Sequence, residues 1–96
     1  MKYTYTITVE KKPVEGKTAE GPMLFEAGSH DDVSDLLDRA RQQGAFDEAT
    51  RCALVVGAKL LGSAVLSNRD SVSMAKLMPH FKALMKELKR SLSGEL

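Results

Sequence analysis

The sequence predicts an α+β fold in which an antiparallel two-stranded β-hairpin precedes three helical segments. Apolar and polar residues alternate without a fault over Tyr3–Glu10, which is typical of a half-buried strand. A long apolar run at Ala49–Leu66 and helical periodicity on both sides of it indicate the helices. A chain of 96 residues is expected to form a single domain, 1–96, around one core. We expect strands at about 3–11 and 22–27, and helices at about 30–43, 47–67 and 72–92.

The hairpin is the clearest local prediction. Tyrosine, isoleucine and valine at the odd positions of 3–9 point to one face, and threonines occupy the other. Two prolines and two glycines within Lys11–Pro22 predict the connecting loop (11–22), which we expect to be mobile, and Met23–Ala27 forms the second strand. A lone hairpin is marginally stable, so its apolar face should pack on a helix. Both strands are edges whose unpaired backbone groups can accept another chain.

The Ala49–Leu66 segment is predicted to be a buried helix around which the rest of the chain packs. At 100° per residue it carries leucine or valine on almost every side, which leaves no polar face for water. Its uninterrupted apolar part is about 15 residues and contains Lys59, whereas a membrane span needs about 20 residues. Lys59 should snorkel to water or pair with a carboxylate. The alternative is a catalytic lysine of lowered pKa, but no nucleophile and base accompany it.

Residues that favour helix ends divide the remaining segments. Ser29 is the expected N-cap of the first helix, with Asp32 placed three residues later as in a capping box. Gly44 should end that helix in a left-handed conformation, and Asp47 should cap the central helix.

The last helical region is expected to be interrupted at Pro79, because proline lacks a backbone donor and disfavours helix at the preceding residue. Either the helix kinks there, or a short helix ends near Leu77 and a second begins at Pro79. Residues 93–96 should form a frayed tail. The apolar face is predicted to comprise Leu77, Phe81, Leu84, Met85, Leu88 and Leu92.

Composition disfavours some classes of function. A net charge near +1 creates no global field that would attract nucleic acid or an anionic membrane. The single cysteine, Cys52, cannot form an intrachain disulfide and is expected to be a buried structural thiol in a reducing compartment. The N-terminus reads as a strand rather than a signal peptide. We therefore expect a soluble cytoplasmic protein.

His30, Asp31, Asp32 and Asp35 form the cluster that most resembles a chemical site. Imidazole and carboxylates can hold a cation, but they must converge from one side, and residues in the first turn of a helix fan apart. Helix capping accounts for the same residues, and we favour that interpretation. The sequence thus predicts no metal ligand, no cofactor site and no catalytic residue.

Basic residues follow one side of the last helix: Lys82, Lys86, Lys89 and Arg90. A solvated helix face explains them, and the alternative is a partner site for nucleic acid, a membrane surface or an acidic protein. Seven acids and two arginines between residues 26 and 48 give that segment a net charge of −5, whereas residues 72–92 carry +4. These segments should attract one another within one chain or across a dimer.

Several segments together resemble a known family of small stand-alone bacterial proteins that is classed as a domain of unknown function. The resemblance covers nearly the whole chain and implies a bacterial cytoplasmic origin. It implies no catalytic residue, ligand or partner. The segments that carry it are Tyr3–Val9, Leu24–Glu26 with His30–Asp32, Phe46–Asp47, Gly57–Gly62, Leu66 with Asn68–Arg69, and Leu77 with Pro79 and Phe81.

These observations favour a small non-enzymatic interaction module that forms a homodimer through the hairpin edge or its helical surface. The alternative is a nucleic-acid-associated regulator that uses the basic C-terminal helix. A metal-assisted enzyme at His30 with Asp31 or Asp35 ranks third, because the sequence offers no convergent set of polar groups around them.

Overall fold

A computed structural model describes residues 2–18, 20–44 and 46–93, and it confirms the α+β fold. The chain forms a β-hairpin and then three helices that pack around the second of them. The elements in chain order are β1 (Tyr3–Val9), β2 (Met23–Ser29), α1 (Val33–Gln43), α2 (Glu48–Ser67) and α3 (Val72–Ser93).

The two strands pair antiparallel, with Tyr3 opposite Ser29 and Val9 opposite Met23. Tyr3, Tyr5 and Ile7 are half-buried and the intervening threonines are exposed, as the alternation predicts. β2 continues two residues beyond its predicted end, because Gly28 and Ser29 extend the pairing with β1.

The N-cap assigned to Ser29 is wrong. Ser29 belongs to β2, where its hydroxyl accepts a hydrogen bond from the Asp31 N–H at 3.1 Å. Asp32 is the N-cap instead: its carboxylate accepts from the Ser34 N–H at 3.0 Å. The Tyr5 hydroxyl accepts from the Val33 N–H at 2.9 Å and so satisfies a second donor of the first turn. The helix therefore begins three residues later than predicted.

The other two predicted helix ends are confirmed. Gly44 has φ 67°, and its N–H donates to the carbonyls of Ala40 and Arg41, which ends α1. Asp47 caps α2 by accepting from the Thr50 N–H at 2.8 Å.

α2 has 20 residues, longer than the apolar run of about 15 because its first turn is polar. Judged by length and composition alone, α2 is the one helix among the described residues that could cross a membrane. Core helices of soluble proteins meet the same criterion.

α3 is a single helix with Pro79 inside it, so the alternative of two separate helices is not formed. Met78 and Phe81, on either side of the proline, are half-buried, and the Phe81 ring packs against Gly62 of α2. Ser93 belongs to the helix, and the rest of the predicted tail, 94–96, lies outside the described residues. Leu77 and Leu84 are exposed, because the inner face has rotated toward Met74 and Met78.

The core is small and lies against one side of α2. Among the described residues, Ala40, Val55 and Val65 are the buried hydrophobic side chains. α3 approaches α2 at Gly62, where an added Cβ would lie 3.0 Å from the Cζ atom of Phe81. The absence of a side chain at Gly62 therefore sets how closely these two helices pack.

Candidate interaction surface

One side of α2 is uncovered, which corrects the prediction that the helix is buried all round. α1 and α3 pack on the side that carries Val55 and Gly62, and the hairpin packs near Val56 and Leu60. The hairpin, α1 and α3 together do not surround α2, and its remaining side faces water. We call it the open face of α2; it consists of Ala53, Gly57, Leu61 and Ala64.

The open face contains no charged side chain, and Leu61 within it is 46% exposed. A Cβ at Gly57 would meet no atom within 4 Å, so the chain itself leaves this position clear. Small side chains on a helix allow another backbone to approach closely.

The loop end of the hairpin is also uncovered on the side that faces the helices. Val9, Met23 and Phe25 form this hairpin tip; they share a face with Tyr5 and Ile7, yet all three are exposed, Met23 by 63%. A shallow groove of about 500 Å³ joins Phe25 to Leu60 and Ala64 of α2. The hairpin tip and the open face are therefore contiguous and form one apolar surface.

The predicted pairing of Lys59 is confirmed, because its Nζ atom lies 2.7 Å from the Asp31 carboxylate. The hydrogen bond and the charge of Lys59 hold the pKa of Asp31 below its usual range. This contact ties the start of α1 to the middle of α2. It also places the charged end of Lys59 at the protein surface while the stem stays half-buried.

Two of the four residues in the His30–Asp35 cluster make structural contacts. Asp32 caps α1, Asp31 pairs with Lys59, and His30 and Asp35 are exposed. Within residues 2–18, 20–44 and 46–93, no three His, Cys, Asp or Glu side chains are grouped so that they could hold a metal ion.

Sequence reasoning missed a charged cluster at the turn between α1 and α2. The Arg41 Nε atom donates to the Glu48 carboxylate at 2.8 Å, and Arg41 also pairs with Asp38 at 2.9 Å. Glu48 further accepts from Arg51 at 3.1 Å. The hydrogen bonds from both arginines lower the pKa of Glu48 to about 2. The sequence held a signal for this cluster, since Arg41 and Glu48 lie on either side of the predicted turn at Gly44 and carry opposite charges.

We expect Glu48→Gln to reduce the melting temperature slightly at pH 7 and to leave it unchanged near pH 2. The folded pKa of Glu48 lies below its usual value of about 4.5, so the carboxylate stabilises the fold above that value and loses this effect as pH falls toward 2. Melting curves of both proteins between pH 7 and pH 2 test this. A constant difference across that range would contradict it.

Cys52 is half-buried rather than fully buried, and its Sγ atom lies 3.6 Å from a Glu48 carboxylate oxygen. It therefore packs at the edge of the same charged cluster.

The four basic residues that follow one side of the last helix are all exposed, and one of them forms an ion pair within α3. Lys82, Lys86 and Lys89 are exposed, and Arg90 lies 3.2 Å from Glu87. The charge of Lys89 reaches Asp31 and contributes to its lowered pKa. The acidic segment 26–48 also receives ion pairs from α2 and from its own Arg41, so the attraction predicted between it and α3 is partly replaced by closer contacts.

Comparison with known proteins now identifies the family. A family model described as a domain of unknown function with a solved structure, DUF3861, matches residues 3–90. The chain belongs to the DUF3861 family. The crystal structure of a protein of unknown function from Pectobacterium atrosepticum resembles the DUF3861 chain with a TM-score of 0.77 and 29% identity, over 94% of this chain and 99% of that one. A comparison with curated proteins finds no match. The resemblance seen in the sequence is thus confirmed.

Proposed function

We propose that this DUF3861 protein is a non-enzymatic interaction module that self-associates, with two copies packing their open faces and hairpin tips together. The observation that carries the proposal is the surface area of the single chain. It exposes 7394 Å². A folded monomer of 10.5 kDa is expected to expose about 5,400 Å².

The excess, roughly 2,000 Å² per chain, matches what a stable dimer needs. Obligate homodimers bury about 2,000–5,000 Å² in total. Even if half of this excess surface belongs to the hairpin loop, the remaining surface of two chains would still supply about 2,000 Å² for a dimer interface. The radius of gyration agrees, at 15.6 Å against about 12.5 Å for a compact chain of this length.

The chemistry of the surface supports a second copy as the partner. The open face is uncharged, so an identical face meets it without like-charge repulsion. Its Gly57 and alanines permit close helix packing, and the exposed Leu61 and Phe25 supply apolar area. A two-fold arrangement satisfies both copies with the same contacts.

The test is the solution mass by light scattering over a dilution series, for the native protein and for Gly57→Glu. We expect a native dimer and a dimer dissociation constant raised at least about 100-fold in the variant, because a carboxylate would be buried unpaired in the interface. In a monomer the same change would instead stabilise α2 by about 0.5–1 kcal/mol, since glutamate favours helix over glycine.

Ala83→Glu provides the matched control. Ala83 is exposed on α3, away from the open face, and the change adds the same charge to a helix. We expect it to leave the mass unchanged. A native monomer at all concentrations, together with a higher melting temperature for Gly57→Glu, would refute the proposal.

A nucleic-acid-associated regulator that uses the basic helix remains the alternative prediction. Lys82 and Lys86 are exposed and would be accessible to phosphates. The near-zero net charge disfavours it.

A further inference from the structure

A second apolar concavity lies on the other side of α2, where α1 and the C-terminal half of α3 diverge. We call it the three-helix groove. Its volume is about 410 Å³, which is within the range of small-molecule sites. Leu36 and Ala40 come from α1, Val55 from α2, and Met85 and Leu88 from α3. These side chains form a floor without charge.

The charges around the groove are of one sign. Arg39, Lys59 and Lys89 line it, together with two glutamines, and no acidic residue does. Lys59 is already paired with Asp31, and the charge of Lys89 also acts on that carboxylate from a longer distance. Among the described residues, neither Arg39 nor Lys89 forms a direct salt bridge. One guanidinium and one ammonium group thus stand at the edge of an apolar hollow. This arrangement is complementary to a molecule with an aliphatic body and an anionic head.

We infer that the three-helix groove binds a soluble amphipathic anion, an aliphatic carboxylate whose chain fills the floor and whose head lies between Arg39 and Lys89. A methylene group occupies about as much space as a water molecule in the liquid, about 30 Å³, so a ten-carbon chain needs about 300 Å³ and fits within the groove. Val55 and Gly57 lie on nearly opposite sides of α2, so the ligand and a second copy of the chain would not compete.

Titration with decanoate below its micellar concentration tests the inference, with 1-decanol and decyltrimethylammonium as probes of the same chain length. Methyl NMR of the methionines locates the site, because Met85 lines the groove and Met23 lies in the distant hairpin tip. We expect one decanoate per chain, shifts at Met85 but not at Met23, and an affinity at least about tenfold higher than for decanol.

Two variants separate the charge from the shape. Arg39→Gln combined with Lys89→Gln should remove the preference for decanoate over decanol, whereas Lys82→Gln combined with Lys86→Gln removes the same charge outside the groove and should change nothing. Ala58→Met places a larger side chain on the groove wall and should abolish binding of both ligands while the protein stays folded.

The inference is overturned if decanoate does not bind at about 1 mM, if the three decyl compounds bind equally, or if the protein binds only anionic phospholipid vesicles. These outcomes are distinguishable from failure of the proposed dimer, because the solution mass is measured without ligand and the Gly57→Glu variant leaves the groove intact.

Discussion

Replacing Gly62 with leucine is expected to destabilise the protein by about 2–3 kcal/mol, because the new side chain occupies space that the Phe81 ring already fills. Even a Cβ at this position would lie 3.0 Å from the ring. The larger side chain forces α3 away from α2 and opens the small core that these helices share. Chemical denaturation measures the change.

Gly57→Ala is the matched control, since Gly57 lies on the same helix with no atom within 4 Å of an added Cβ. Within the single chain it should stabilise α2 by up to about 1 kcal/mol, as expected for alanine in place of glycine, so both variants are compared at a protein concentration low enough to keep them monomeric. Adding Phe81→Ala to Gly62→Leu should recover part of the lost stability, because it removes the clashing ring. If Gly62→Leu is as stable as the native protein, close packing at Gly62 does not define the α2–α3 contact.

Val65→Asp is expected to cost about 4 kcal/mol or more at pH 7 and to unfold much of the protein. Val65 is 1% exposed, so a carboxylate placed there is removed from water. Burial raises the pKa of the introduced carboxyl group in the folded state. The destabilisation should therefore be smallest below about pH 4, where the group is protonated in both states, and grow as pH rises.

Val72→Asp makes the same chemical change at a site that is 73% exposed, at the first residue of α3. A carboxylate there interacts favourably with the helix dipole, so we expect a change within about 0.5 kcal/mol. Denaturation of the two variants at pH 4 and pH 7 measures their free energies of unfolding, and the difference between them reports the effect of burying the carboxylate. Equal losses of stability in both would show that Val65 is not in the core.

Features that depend on neighbouring residues could be predicted from the sequence. The alternation over β1 specifies which side chains face the helices, and Gly44 and Asp47 end and begin helices through bonds to residues within four positions. For Lys59 the sequence left two alternatives, water or a carboxylate, because an ammonium group in an apolar helix needs one of them, and the structure shows the carboxylate of Asp31.

Features that depend on tertiary packing could not be predicted from the sequence. The Tyr5 hydroxyl accepts a hydrogen bond from the Val33 N–H, 28 positions away, and no sequence pattern in either segment predicts that hydrogen bond. α3 continues through Pro79 against the local preference of proline, and Phe81 just beyond it packs against Gly62 of α2. The open face has the same origin: periodicity shows that α2 is apolar all round, but only the arrangement of its neighbours decides which side they leave uncovered.

The hydroxyl of Tyr5 makes α1 dependent on the hairpin. α1 has 11 residues, too few for a helix to persist alone in water. Two of its anchors, Tyr5 from β1 and Lys59 from α2, arrive from distant parts of the chain and meet at its first turn. The stability of the first helix therefore depends on contacts from two distant elements, the hairpin and the central helix, rather than on its own sequence alone.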